Sequence, residues 1–338
     1  RDVYKRQANK VPRSPLRQRH GLESAWVHTP DHGACRRLAT ERGVDGWPWP
    51  TMRDYLVEKL PRMGGQRVDE MLDEGRFVDE SGRTFRRDSP FTPQTFVFFH
   101  RDLPTETPVP AGIGILYSDE RILVVDKPHF LSSIPRGRHV LESVVVRLRT
   151  QLGLPELTVA HRLDRVTAGV LLLTRERKWR RPYQEIFERR EVVKKYRLVA
   201  PVVHDSAGEG VTATKSGWQV RSRIIKERGI LQAREVPGVP NAVTDIALIG
   251  EHGGWGLYEA SPRTGRTHQI RLHMQRLGAP IVNDPFYPVV LDTPVDDFTH
   301  PLQLQAWRMG FTDPVTGDPR AFTSRLRLAA WPVSYTHL

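Results

Sequence analysis

The chain of 338 residues contains one cysteine, Cys35, which excludes an intramolecular disulfide and any thiolate-rich zinc site. Such scarcity fits a reducing compartment, and the cytoplasm is expected. Long apolar runs are missing as well. The longest greasy stretches, such as residues 169–174, are strand-sized and fall short of the roughly 20 residues a membrane helix needs. No charged start followed by an apolar stretch marks a signal peptide, and no membrane association is expected. His252, His268 and His273 do not complete a zinc site at sensible spacing, so no metal is assigned.

Positive charge is abundant. The formal net charge is +12, and residues 175–197 hold ten Lys or Arg against four Glu, a local excess of six. Half of the net charge thus sits in 23 residues. A basic stretch of this density attracts phosphates by Coulomb steering and counterion release, which points to a polyanionic partner.

The length predicts a main domain of more than 200 residues with a smaller appendage. Residues 1–7 and 333–338 match nothing in the pattern beside them and read as translated adapter sequence. Residues 8–47, rich in Arg, Pro, Gly and His without sustained periodicity, read as a partly disordered leader. A small domain is expected over 48–105. Its helices are expected over 51–60, with Met52, Tyr55, Leu56 and Leu60 on the apolar face, and over 66–73. A hairpin is expected around Ser81-Gly82, and a last strand over 96–99. Pro104, Pro108 and Pro110 read as a stiff linker.

From Ile113 strands and helices alternate. Strands are expected over 122–126, 170–173, 192–199, 255–260 and 302–311, and helices over 141–152, 181–191 and 267–277. This mixed order argues for an α+β fold with a mixed, largely antiparallel central sheet flanked by helices, over residues 110–330.

Three segments combine charge with Gly or Thr at an edge of regular structure: His161-Arg162-Leu163-Asp164 followed by Thr167-Ala168-Gly169, Lys195-Tyr196-Arg197, and the stretch Arg263-Thr264-Gly265-Arg266-Thr267-His268-Gln269-Ile270-Arg271. Loops held by rigid elements are where catalytic groups tend to lie. Asp164, between Arg162 and Arg165, is either a turn aspartate in an ion pair or a carboxylate held ionised for attack on a sugar carbon. The Gly-containing turn before 267–277 offers backbone N–H groups to an anion, with Arg266 and Arg271 adding charge. On that helix Ile270, Met274 and Leu277 would face inward, with His268, Arg271 and Gln275 on an adjacent face.

In order and spacing these segments, together with Lys194-Lys195-Tyr196-Arg197-Leu198-Val199 and residues 277–287 (Leu-Gly-Ala-Pro-Ile-Val-Asn-Asp-Pro-Phe-Tyr), resemble the RluA family of pseudouridine synthases. The likeness covers roughly residues 110–328, and Ile122 to Pro128 looks like that family's first catalytic strand. It implies the pseudouridine synthase fold and a cofactor-free isomerisation of uridine in structured RNA, ribosomal (23S-type) or transfer. The partner implied is RNA, and a monomer is expected. Position by position, it implies that Asp164 is the catalytic aspartate, Tyr196 the tyrosine that stacks on the base and can accept a proton, and Arg271 the arginine paired with the aspartate. Arg162 matches the arginine implicated in opening the RNA; Arg266, His268, Gln269, Lys194 and Lys195 are expected to bind substrate. The small N-terminal domain loosely resembles an S-four-type RNA-binding module. Three positions depart from the family pattern: Ala168 for Ser, Asn283 for Gly, and Gln305 for His.

Two other readings stand beside this one. A non-catalytic RNA-binding or RNA-folding protein on the same scaffold predicts loss of the Asp or the Arg. A paired-carboxylate glycosidase needs a second acid, for which Asp284 is the only candidate.

Overall fold

A computed structural model describes residues 11–205 and 208–332 of the chain, so the expectations for 1–7 and 333–338 lie outside the described residues. The chain divides into two compact units, Arg1–Pro104 and Thr105–Leu338.

In the first unit the order is β1 (Ala25–His28), α1 (His32–Arg42), α2 (Met52–Lys59), α3 (Gly65–Asp73) and β2 (Phe96–Phe99). Strands β1 and β2 pair antiparallel, with Trp26 opposite Phe98. Helix α2 starts at a reciprocal cap: the Asp54 amide donates to Thr51 Oγ1 and the Thr51 amide to an Asp54 carboxylate oxygen, both at 3.2 Å. Met52 and Leu56 of α2, Val68 and Met71 of α3, and Phe77 form its core.

The segment read as a leader carries β1 and α1, and Val27 and Cys35 belong to the same core. Helix α1 buries only Cys35 and Ala39, too few apolar residues to show as periodicity. Its ends are fixed by local chemistry instead. Asp31 accepts the Ala34 amide at 2.7 Å, and Gly43 closes the helix in the left-handed region. The turn at Ser81-Gly82 forms around one bridge, Val78 with Thr84, without flanking strands. The Asp79 carboxylate holds it by accepting the Ser81 and Arg83 amides.

The second unit runs β3 (Gly114–Ser118), β4 (Ile122–Lys127), α4 (Val144–Leu152), β5 (Thr158–Val159), β6 (Ala168–Thr174) and α5 (Arg177–Glu188). It continues with β7 (Val193–Pro201), β8 (Val211–Thr214), β9 (Gly217–Ile225), β10 (Arg234–Val236), β11 (Ala242–His252) and β12 (Trp255–Pro262). The last elements are α6 (Gln269–Arg276), β13 (Leu304–Thr312) and β14 (Pro319–Thr323). The strands form one sheet ordered β10-β9-β11-β12-β7-β13-β6-β4-β3, with β14 on β13, β5 on β6 and β8 on β9. Strands β6 and β13 run parallel and share two residue pairs, Ala168 with Gln305 and Gly169 with Ala306; the other pairings of these strands are antiparallel. The sheet is mixed and mostly antiparallel, with helices against it.

Strands β4 and β6 are buried at every position, which is why they read as unbroken apolar runs in the sequence. Helix α4 closes at Gly153, left-handed at φ 64°. Helix α5 starts four residues before the 181–191 expectation and carries Pro182 in its interior, with Tyr183 and Ile186 buried. Pro182 falls in the second turn and does not end the helix.

Candidate active site

Asp164 sits in the turn that feeds β6, and its neighbours are clamped one by one. Ser133 Oγ donates to the Leu163 carbonyl at 2.8 Å and accepts the Leu163 amide at 3.1 Å. His129 Nδ1 lies 2.7 Å from the Val166 carbonyl, and the Thr167 amide donates to the Asp164 carbonyl at 3.1 Å. Arg165 reaches the Val295 carbonyl at 2.7 Å. The backbone is thereby fixed while the Asp164 side chain stays 30% exposed. The following Thr-Ala-Gly is explained by Gly169: its φ is +110°, and a Cβ there would lie 2.2 Å from the Ala306 carbonyl oxygen. Only glycine lets β6 approach β13 so closely.

The facing wall is built by residues 263–271. Thr264 Oγ1 accepts the Val243 amide and donates to Gln269 Oε1, which also accepts the Arg266 amide. Gln269 Nε2 donates to Thr244 Oγ1 and the Val243 carbonyl, each at 2.9 Å. The buried Gln269 side chain is therefore spent on holding its own turn. Arg266 is exposed and donates to the Asn241 carbonyl at 3.2 Å. Helix α6 then opens at His268, left-handed at φ 58°, and is buried from Gln269 through Met274. Strands β9, β11 and β12 pack against it. The polar residue on one flank, His273, is satisfied internally by Thr244 Oγ1 at 2.7 Å and Ser222 Oγ at 3.0 Å.

Arg271 is 1% exposed and joins two carboxylates. Its Nε and Nη2 bond to Asp284 at 2.7 and 2.5 Å, while Nη1, which makes no hydrogen bond, lies 3.8 Å from Asp164 Oδ2. The main partner of Arg271 is thus Asp284, and Asp164 takes the remaining guanidinium edge through space. The rings of Phe286 and Tyr287 lie 5.0 and 5.1 Å from the guanidinium carbon. His268 Nε2 is 3.9 Å from the same Asp164 oxygen, with Nδ1 2.9 Å from the Tyr287 hydroxyl. Burial pushes the His268 imidazole down to about 4, so it is neutral near pH 7.

Tyr196 lies on β7, paired with Ala260 and Ala306, and packs against the two core clusters on either side of β13. Burial, followed by the Asp164 charge, pushes its phenol well above the ordinary range, so the hydroxyl keeps its proton at neutral pH. Among the other expected residues, Lys195 is bound to Glu259 at 2.6 Å. Arg162 is exposed, and Lys194 borders a cleft beside the 263–266 turn. Among the described residues no cluster of His, Cys, Asp and Glu could hold a metal.

Reading the sequence missed Lys127. Its amine is fully buried and donates to the carbonyls of Pro128, Leu131 and Arg165 at 3.0, 2.7 and 3.1 Å. Burial pushes its pKa down to about 7, against the upward pull of Asp164. The signal was an Asp-Lys pair ending an apolar strand directly before proline. Asp284 was missed as a structural partner because nothing in the sequence distinguishes it from a second acid.

A model of the family described as RNA pseudouridylate synthase matches residues 121–276, which contain Asp164, Tyr196 and Arg271. Over 188 residues the chain is 34% identical to the mitochondrial tRNA pseudouridine(32) synthase of Saccharomyces cerevisiae, covering 56% of this chain and 39% of the yeast protein. It is 29% identical over 226 residues to the dual-specificity RNA pseudouridine synthase RluA of Haemophilus influenzae, covering 64% of this chain and 95% of that one. With RluA of Salmonella typhi the identity is 34% over 215 residues, or 62% and 90% of the two chains. The solved structure of human RNA pseudouridylate synthase domain containing 4 aligns with a TM-score of 0.47 at 24% identity, over 63% of this chain and 88% of that one. The chain belongs to the RluA family of RNA pseudouridine synthases.

Proposed function

We propose that this chain isomerises uridine to pseudouridine within ribosomal or transfer RNA, with Asp164 as the catalytic carboxylate. One observation carries the assignment. The Asp164 carboxylate is clamped at the backbone and partly open to solvent, and it faces the one guanidinium nitrogen of Arg271 that makes no hydrogen bond. A carboxylate left under-satisfied beside a buried cation has hydrogen-bonding capacity available to a substrate.

The reaction breaks the bond from C1′ to N1, turns the uracil, forms the bond from C1′ to C5, and moves the C5 proton to a base while N1, which keeps the electron pair of the broken bond, takes up a proton. Asp164 either adds to C1′ and leaves as C5 attacks that carbon, or takes a sugar proton to give a glycal and returns it as C5 rejoins C1′. Arg271 and the neutral His268 hold its charge in place. A uridine within paired RNA must first be flipped out, at about a few kcal/mol of unstacking. Tyr196 supplies an aromatic face for it. Its neutral hydroxyl suits stacking and hydrogen bonding; to take the C5 proton it must hand its own proton to solvent in the same step. Arg162 and Arg266, exposed on the two walls, contact phosphate or the flipped nucleotide. The first unit acts as an S-four-like RNA grip. RNA helices offer little base readout in their deep groove, so charge and shape would carry that contact. No helix among the described residues is long and apolar enough to cross a membrane, and the lone buried Cys35 suits a reducing cytoplasm.

The glycosidase reading needs a free second acid, and Asp284 is engaged with Arg271 and two backbone amides. Tritium release from RNA labelled at uracil C5 tests the proposal, with wild type and Asp164→Ala side by side on total bacterial RNA. Release by wild type alone supports it. No release from either, with tight RNA binding intact, favours a non-catalytic RNA-binding protein.

A further inference from the structure

The ten basic residues of 175–197 are not equivalent in three dimensions. Lys178 is bound to Glu176, Arg181 and Arg189 to Glu185, and Lys195 to Glu259. Arg175 and Arg180 donate to the carbonyls of Asp119 and Glu156, and Arg197 stacks over Trp307 at 3.5 Å. The side chains of Arg177, Arg190 and Lys194 have no such carboxylate, carbonyl or ring partner among the described residues, and of these Arg190 and Lys194 line one cleft of ≈ 270 Å³ with Phe187, Val193, Ser261 and Arg263. The one acid in that cleft, Asp245, is held by Arg263 at 2.6 and 3.1 Å, so it does not neutralise them.

Two cations facing a shared space without an anion repel one another. Burial and then the neighbouring Arg190 disfavour the charged form of Lys194. That arrangement is unfavourable in the free protein and becomes favourable once an anion enters. The cleft's position narrows which anion. A Cβ on Gly265 would lie 3.9 Å from Lys194 Nζ, so the amine sits against the turn that opens α6. Lys194 is also two residues from Tyr196 on β7, hence on the same face of the strand, about 6.6 Å away along it. At that separation a phosphate flanking a nucleotide seated on Tyr196 lies within reach of Lys194.

We propose that Arg190 and Lys194 form a phosphodiester subsite that grips the RNA backbone next to the flipped uridine. This rests on the synthase reading of the same site. The subsite acts on binding and register and touches none of the reacting atoms. It selects RNAs whose backbone turns into the cleft on that side of the target nucleotide.

The test compares wild type, Lys194→Met, Arg190→Met and the rescue variant Lys194→Arg, with Lys178→Met as a control for loss of a paired surface charge. Filter binding of total bacterial RNA is measured across a KCl series, alongside tritium release from the C5-labelled RNA. Loss of one phosphate contact lowers the slope of log affinity against log salt by about 0.7 to 0.9. We expect that loss for Lys194→Met and Arg190→Met, with KM raised about tenfold and kcat changed less than twofold. Lys194→Arg should restore both, and Lys178→Met should leave the slope unchanged. A wild-type slope in Lys194→Met and Arg190→Met, or a loss confined to kcat, overturns the subsite. If wild type releases no tritium, the synthase reading fails, while the binding slopes still decide the subsite.

Discussion

Two loops bring an aspartate to Arg271, and they treat it in opposite ways. The loop after α6 buries Asp284 completely and satisfies it with two guanidinium bonds and the amides of Phe286 and Tyr287. The loop before β6 freezes its own backbone and leaves the Asp164 carboxylate with two charged or polar neighbours near 3.8 Å. A fully bonded carboxylate has no capacity left for a substrate, and a half-bonded one does. The difference separates framework from chemistry at one guanidinium.

The sharpest way to break the comparison is to remove each aspartate in turn. Asp164→Ala should lower kcat by at least about 10³-fold, roughly 4 kcal/mol of transition-state stabilisation, while Tm moves by no more than about 2 °C. Asp284→Ala should do the reverse in kind. It strands a buried guanidinium, which costs about 3–5 kcal/mol and lowers Tm by about 10 °C, read by calorimetry. Equal stability losses in the two variants would show that the distinction is wrong.

A smaller effect is expected at the base platform. Tyr196→Ala should weaken RNA binding by about 1–3 kcal/mol, and Tyr196→Phe should keep most of that binding because the ring remains. If Tyr196→Phe binds as poorly as Tyr196→Ala, the hydroxyl rather than the ring carries the contact.

A separate effect concerns acid. His129, His268 and His273 are pushed down to about 4 by burial, and His161 to about 3, so the folded chain holds them neutral. Once unfolded they bind protons near the ordinary value of about 6.5, so unfolding takes up protons below that pH. Stability is then full above about pH 6.5 and declines as pH falls toward 4. Each costs about 2 kcal/mol at pH 5, so thermal melts between pH 7.5 and 5 should fall by more than about 10 °C, and His273→Gln should remove about a quarter of that fall.

Much of this was legible in the sequence. The apolar strands β4 and β6, the Gly153 stop of α4 and the pattern around Asp164, Tyr196 and Arg271 carry local signals. A run buried on both faces has no alternation to misread. The structure also brings Asp164, His268 and Arg271 together, as their motif membership implied. What was hidden depends on contacts made far along the chain. The role of Asp284 requires knowing that its loop folds under α6. Gln269 looks like a ligand until its hydrogen bonds to the 243–244 strand are seen. Lys127 looks like a surface charge until three carbonyls close over it. Helix α1 escaped because its order rests on Asp31 and Gly43 rather than on an apolar stripe.

The parallel seam between β6 and β13 has one more consequence. It joins the half of the sheet that Asp164 precedes to the half that carries Tyr196 and packs against the helix of Arg271, through only two residue pairs, at a point where only a glycine fits. Partners so distant in sequence meet late in folding, because closing a long loop costs entropy before any contact rewards it. During refolding each half can regain its own hairpins while the chain remains inert. Recovery of turnover should therefore lag behind recovery of strand signal, and turnover is the property that reports the seam has closed.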